Sequence, residues 1–226
     1  MLDQDHFSSY AMGHWLRSDS SGRQVRSAVT GETLGVLGGV PDVAAMRDYA
    51  KSHGGPALRA LNFHDRARML KALALHLKAH RKALYDLSFL TGATLADSQI
   101  DIDGGIGTLL VYASKGRREM PEGFVLPDGE LEVLSRDGSF LGQHVLTPRQ
   151  GISLQINAFN FPVWGMLEKL APSLLAGVPS LVKPASDTGY LTQAVVRLIA
   201  DSGILPDGAL QLIMGATGDL LDCLDA

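Results

Sequence analysis

The sequence predicts an α/β protein: a parallel sheet with helices ahead of it and a β-ribbon projecting from it. Three patterns carry that reading. Residues 151–226 alternate short apolar strands with helix-like runs, residues 41–112 repeat apolar side chains near helical spacing, and residues 124–150 alternate apolar and polar. The chain has 226 residues, of which 46% are hydrophobic and 10 are Pro, enough to bury the core of one large or two small domains.

Along the chain, residues 10–40 read as two short strand pairs lying as surface ribbons, broken at Asp19-Ser20-Ser21-Gly22 and at Thr30-Gly31-Glu32. Pro41-Asp42 opens a helix through VAAMRDYAKSHG, with Gly54-Gly55 as its stop. A longer helix follows Asn62-Phe63-His64-Asp65. Met69, Leu70, Leu73, Leu77, Leu84 and Leu87 fall on its inner face, and Arg68, Lys71, Lys78 and Arg81 face water. His76 and His80 stand four apart, the spacing of two metal ligands, but no acidic or third ligand accompanies them, which favours a solvated helix face and no metal. GGIGTLL at 104–110 has the first two glycines of a dinucleotide fingerprint. Leu110 takes the place of the third, and ATLADSQIDID precedes it where an apolar strand belongs, so it reads as glycine in a closely packed helix. In 124–150, Asp128-Gly129 and Asp137-Gly138 are hairpin dipeptides.

The last third is the most ordered in its grammar. GISLQI at 151–156 is a strand, Pro162 suits the first turn of a helix that ends at Gly177, and SLVK at 180–183 is a second, buried strand. A helix over 188–202 and a strand over 210–214 complete a β-α-β-α-β succession, which requires a parallel sheet with helices on its faces. Ligands bind such sheets at the carboxyl ends of the strands, where Asn160 and Lys183 both fall.

Composition excludes several classes. Twenty Lys and Arg against 24 Asp and Glu give a net charge of −4, interspersed along the chain, which argues against nucleic acid as a partner. MLDQDHFSSYAMGHW lacks the basic start and apolar run of a signal peptide, and no stretch reaches the roughly 18 apolar residues of a membrane span, so the expected location is the cytoplasm. One Cys, Cys223, excludes an internal disulfide and a multi-Cys metal site.

Ala158-Phe159-Asn160-Phe161-Pro162, Ser173-Leu174-Leu175-Ala176-Gly177-Val178 and Lys183-Pro184-Ala185-Ser186 together resemble the aldehyde dehydrogenase superfamily, with its Asn-Phe-Pro loop, its helix ending in Gly and its Lys-Pro strand end. The likeness extends over nearly the whole chain. GGPALRALNF, TGATLADSQIDIDGGIGTLLVYAS and INAFNFPVWGMLEKLAP are similar to the members that oxidise CoA-linked semialdehydes in phenylacetate and benzoate degradation. The resemblance implies an incomplete Rossmann-like sheet. Residues 1–123 would be strands and helices of the cofactor-binding domain, 124–150 an oligomerising ribbon, and 151–226 the first part of the sheet, with the catalytic domain absent.

Chemistry gives each implied residue a task. Aldehyde oxidation proceeds by thiolate attack, hydride transfer to a nicotinamide and thioester hydrolysis, and the tetrahedral oxyanion requires a preorganised donor. The resemblance assigns that donor to Asn160, whose alternative role is to cap the following helix. Lys183 would reach the adenosine ribose or its phosphate, or else end the strand in solvent. Ile156, Ala158, Phe159 and Gly215 would line the cofactor groove. Ser186 stands where NAD-preferring relatives carry a Glu, which implies NADP over NAD; its alternative is a helix cap. The family's phosphate loop, general-base Glu and nucleophilic Cys lie past Ala226. Cys223 is not at the nucleophile position, and Asp222 and Asp225 would raise its pKa. The expectation is an inactive N-terminal part of a homo-oligomeric enzyme. A non-catalytic remnant or assembly partner, or an unrelated nucleotide-binding module, are the alternatives.

Overall fold

A computed structural model describes residues 7–17, 22–39, 41–218 and 220–223. The turn expected at Asp19-Ser20-Ser21 and the side chain of Asp225 lie outside them. Five strands form a sheet in the order β2-β1-β9-β8-β7, built from β1 (Ser8–Ala11), β2 (His14–Arg17), β7 (Ser153–Ile156), β8 (Ser180–Lys183) and β9 (Leu210–Leu212). β7, β8 and β9 are parallel, as the β-α-β-α-β succession requires. The first strand pair, however, is not a surface ribbon. β1 lies antiparallel to β9 and turns into β2 through Met12-Gly13, both at positive φ. Buried Phe7 and Ala11 and the bond from the Met214 amide to Ser9 Oγ (2.9 Å) fix β1 to the sheet. The second pair, β3 (Arg23–Arg26) with β4 (Thr33–Leu37), is separate.

Period-two alternation makes the sheet two-sided. Leu181 and Ile213 pack with Val43 and Met46 of α1 (Val43–Tyr49) on one face. Val182 and Leu212 join the larger core on the other, with α3 (Phe63–Ser88), α4 (Leu95–Arg118), α5 (Trp164–Leu175) and α6 (Gly189–Ser202). Asp42 caps α1 by accepting from the Ala45 amide (2.9 Å), Asn62 caps α3 through the Asp65 amide (2.8 Å), and Thr94 with Asp97 forms a capping box on α4. All six apolar positions expected on the inner face of α3 are buried, and Arg68, Lys71, Lys78 and Arg81 are exposed.

Gly54-Gly55 does not stop the first helix. The chain continues through a π-helical turn (Ala50–Gly54) into α2 (Gly55–Arg59). A Cβ on Gly54 would lie 2.1 Å from the Gly208 carbonyl oxygen, so this glycine serves close backbone approach. In the ribbon, β5 (Leu126–Val133) pairs with β6 (Leu141–Leu146). Asp137-Gly138 makes the hairpin turn, closed by Ser135 and Ser139 on the Asp137 carboxylate (both 2.7 Å). Asp128-Gly129 instead lies within β5 at a register shift, where Gly129 takes φ 86°: the dipeptide marks a bulge, not a second turn. Among the described residues no helix is long and apolar enough to cross a membrane.

Candidate active site

The carboxyl ends of β7 and β8 lie side by side, with Ile156 opposite Lys183 and the Asn157 amide donating to the Lys183 carbonyl (3.0 Å). Ile156 is exposed on this rim. Lys183 is not a solvated strand end: it is 5% exposed, its Nζ donates to the Pro184 carbonyl (2.7 Å), and burial pulls its pKa down. No carboxylate pairs with it among the described residues. A buried ammonium with one carbonyl partner is a group still short of acceptors.

Beyond β7 the chain turns outward, leaving Ala158, Phe159, Asn160 and Phe161 exposed. Phe161 takes φ 50°, a conformation uncommon for a bulky side chain and sustained only when the surroundings over-determine it. Here they do. Thr188 Oγ1 donates to the Phe159 carbonyl (2.7 Å), Thr192 Oγ1 to the Pro162 carbonyl (3.2 Å), and the Gly165 amide to the Phe161 carbonyl (2.7 Å). From α4, Asp101 accepts from the Trp164 amide at 2.7 Å and from the Val163 amide at 3.2 Å. Asp101 is 4% exposed; burial raises its pKa, and the two amides pull the other way. The backbone approach that permits this contact depends on Gly104 and Gly105, where added Cβ atoms would lie 2.6 Å from the Trp164 ring and 3.0 Å from Trp164 Cα.

That arrangement settles the capping alternative. The opening amides of α5 are held by Asp101, and Asn160 makes no side-chain hydrogen bond among the described residues. Nor does Ser186 cap α6: Thr188 is the N-cap, its hydroxyl engaged with the Phe159 carbonyl and not with a helix amide, and the half-buried Ser186 hydroxyl has no partner among the described residues. Asp187, beside it, receives Arg23 Nη2 at 2.5 Å. Gly215, at φ 131°, follows β9; a Cβ there would lie 2.6 Å from the Gly38 carbonyl oxygen. Ile156, Ala158, Phe159, Asn160, Lys183, Ser186 and Gly215 thus all lie at or beyond the carboxyl ends of the three parallel strands. A hollow of about 850 Å³ lies at the opposite end of β7, lined by Arg149, Ser153 and Ser173 among others.

Asp101 was not among the residues singled out in the sequence, although its signal was present. It falls within the buried stripe of α4 (Ser98, Asp101, Ile102, Gly105, Ile106, Leu109), and a carboxylate in such a stripe requires donors. His76 and His80, expected on a solvated face, are half-buried: His76 Nε2 lies 3.1 Å from the Leu198 carbonyl oxygen and His80 Nδ1 2.9 Å from that of His76. Half-buried Cys223 packs against the α1 face of the sheet, with Arg47 on its carbonyl (2.7 Å). Among the described residues no three His, Cys, Asp or Glu gather as metal ligands.

The chain is 42% identical over 216 residues to the 3,4-dehydroadipyl-CoA semialdehyde dehydrogenase of Aromatoleum evansii, an alignment covering 95% of this chain and 42% of that protein. Its fold matches an NADP-dependent enzyme of Escherichia coli (TM-score 0.76, 23% identity, 96% of this chain and 43% of that one). It also matches betaine aldehyde dehydrogenase of Staphylococcus aureus solved with NAD+ (TM-score 0.72, 24% identity, 98% and 42%). The chain therefore spans less than half the length of these relatives. Residues 15–224 match the aldehyde dehydrogenase family, and with the Asn-Phe-Pro loop and Lys-Pro strand end in place the chain belongs to that family.

Proposed function

We propose that this chain forms the cofactor-binding part of an NADP-dependent dehydrogenase that oxidises a CoA-linked semialdehyde to the acid in aromatic-compound degradation, of the phenylacetate or benzoate type. The observation that carries the reading is the unengaged Asn160 amide, presented on a loop whose own hydrogen bonds are met by Asp101, Thr188 and Thr192. A side chain held ready without an internal partner suits an oxyanion that forms only during reaction. The relative named for 3,4-dehydroadipyl-CoA semialdehyde supports the substrate class.

The rim fits a nicotinamide dinucleotide. Lys183 offers a buried ammonium to the adenosine ribose or its phosphate, Ile156, Ala158 and Phe159 give apolar surface, and Gly215 follows β9 at the same rim. Ser186 places a small hydroxyl donor, not a carboxylate, three residues after Lys183, which favours a phosphate ester and hence NADP. When bound, the nicotinamide supplies the hydride acceptor. The chain's own contribution is to bind it and to hold the Asn160 donor. Residues 1–123 and 151–226 form this binding unit, in the cytoplasm, while 124–150 joins subunits of a homo-oligomer through apolar side chains such as Val133, Phe140 and Leu146 that stand more than half exposed.

The test is Asn160→Ala in the complete dehydrogenase. Removing an oxyanion donor lowers kcat by roughly 100- to 1000-fold. An unchanged kcat with a semialdehyde substrate refutes the reading.

A further inference from the structure

Several features offer themselves outside the residues already assigned: the basic hollow at the start of β7, the orphaned guanidinium atoms of Arg66, and the buried Asp101. The third carries an inference. Asp101 sits on α4, 62 residues before the helix whose amides it holds, and it is the only acidic side chain in the buried stripe of that helix. It bonds the first two residues after Asn160-Phe161-Pro162, and Phe161 is the residue at positive φ.

We infer that Asp101 is a positioning residue for the oxyanion donor: its carboxylate clamps the Val163 and Trp164 amides, and that clamp sustains the left-handed turn at Phe161 and aims the Asn160 amide. The inference rests on the oxyanion role proposed for Asn160. Two independent contacts point the same way. A Cβ on Gly104 would lie 2.6 Å from the Trp164 ring and one on Gly105 3.0 Å from Trp164 Cα, so the glycines of α4 let it meet the start of α5 at close range. Thr188 and Thr192, both on the α6 side, hold the carbonyls of Phe159 and Pro162 that flank the turn. The Thr188 and Thr192 bonds fix carbonyls; Asp101 alone fixes the amides on the helix side. Without it, Val163 and Trp164 present unpaired donors in a buried setting, and a shift of the turn relieves them.

The experiment compares Asp101→Ala, Asp101→Asn and Ala113→Gly in the complete dehydrogenase. Ala113 is buried further along α4 and weakens the same helix without touching the loop. Because the donor acts on the transition state, Asp101→Ala is expected to lower kcat by about 10- to 100-fold, with KM for cofactor and aldehyde held within about twofold. Asp101→Asn, whose carboxamide oxygen still accepts from Trp164, recovers most of kcat, and Ala113→Gly lowers thermal stability while leaving kcat in place. A second readout uses the chain itself. Trp15 and Trp164 are its two tryptophans, so in a Trp15→Phe background the acrylamide quenching of Trp164 reports the clamp; it rises in Asp101→Ala and stays near the parent value in Asp101→Asn. An Asp101→Ala enzyme with parental kcat, a kcat loss that Ala113→Gly reproduces at equal loss of stability, or unaltered Trp164 quenching each overturns the inference. Asn160→Ala separates the two layers. If it lowers kcat while Asp101→Ala does not, this inference alone fails; if Asn160→Ala itself leaves kcat unchanged, the proposed function and the inference fail together.

Discussion

Replacing Gly107 and Gly104 by alanine, one at a time, tests how α4 meets the Asn160 loop. Both lie inside the same helix, three residues apart, so both substitutions gain the same helix propensity, about 0.8–1 kcal/mol for alanine over glycine. Their surroundings differ. Nothing lies within 4 Å of a Cβ at Gly107, whereas one at Gly104 would meet the six-membered ring of Trp164 at 2.6 Å. Gly107→Ala is therefore expected to stabilise by the full propensity term, roughly 2–4 °C in Tm for a chain of this size. Gly104→Ala carries the same gain less an overpacking cost of about 1–3 kcal/mol, so the difference between the variants is the overpacking term alone, roughly 2–12 °C. Circular dichroism melts of the purified chain give both values. Two Tm values within about 1 °C of each other would refute the claim that Gly104 is required by the approach of Trp164, and with it the account of how α4 sets the start of α5.

Other expectations follow from the same contacts. Ser186→Glu in the complete enzyme is expected to move the kcat/KM ratio toward NAD by about ten- to a hundredfold, since a carboxylate there opposes a phosphate ester at close range; an unmoved ratio places the selectivity elsewhere. Removing residues 124–150 is expected to change the sedimentation behaviour of the complete enzyme, because among the described residues both ribbon strands have open hydrogen-bonding edges and exposed apolar side chains. Asp137 titrates near pH 2, held down first by the Ser135 hydroxyl and then by Ser139. A depressed carboxyl contributes stability above its ordinary range and loses it as pH falls toward 2, so Asp137→Ala is expected to flatten the acid limb of the ribbon's unfolding profile and leave its stability at pH 7 lower.

What the sequence disclosed, and what it did not, divides along the range of the contacts. The strands of 151–214, the buried stripe of α3 and the close-packed glycines of α4 were legible because period, capping and turn chemistry act over a few residues. The long-range pairings were not. β1 looked like a ribbon strand since nothing in SSYA announces that Tyr10 pairs with Leu212, two hundred residues on. Gly54 looked like a helix stop because its true partner, the Gly208 carbonyl, is also far along the chain. The Asn-Phe-Pro loop shows the consequence at the site. Its local sequence offers Asn160 as the natural cap of α5, and read in isolation the asparagine would be consumed by that duty. Asp101 takes over the Val163 and Trp164 amides from another helix, and among the described residues the side-chain amide of Asn160 has no hydrogen-bond partner. A carboxylate placed in the apolar stripe of α4 is unfavourable for α4 considered alone, as its raised pKa records. Its burial is repaid only where two backbone donors converge on it, and those donors belong to the turn that carries the candidate catalytic side chain. The polar defect in one helix and the free amide beside another are thus two ends of a single arrangement.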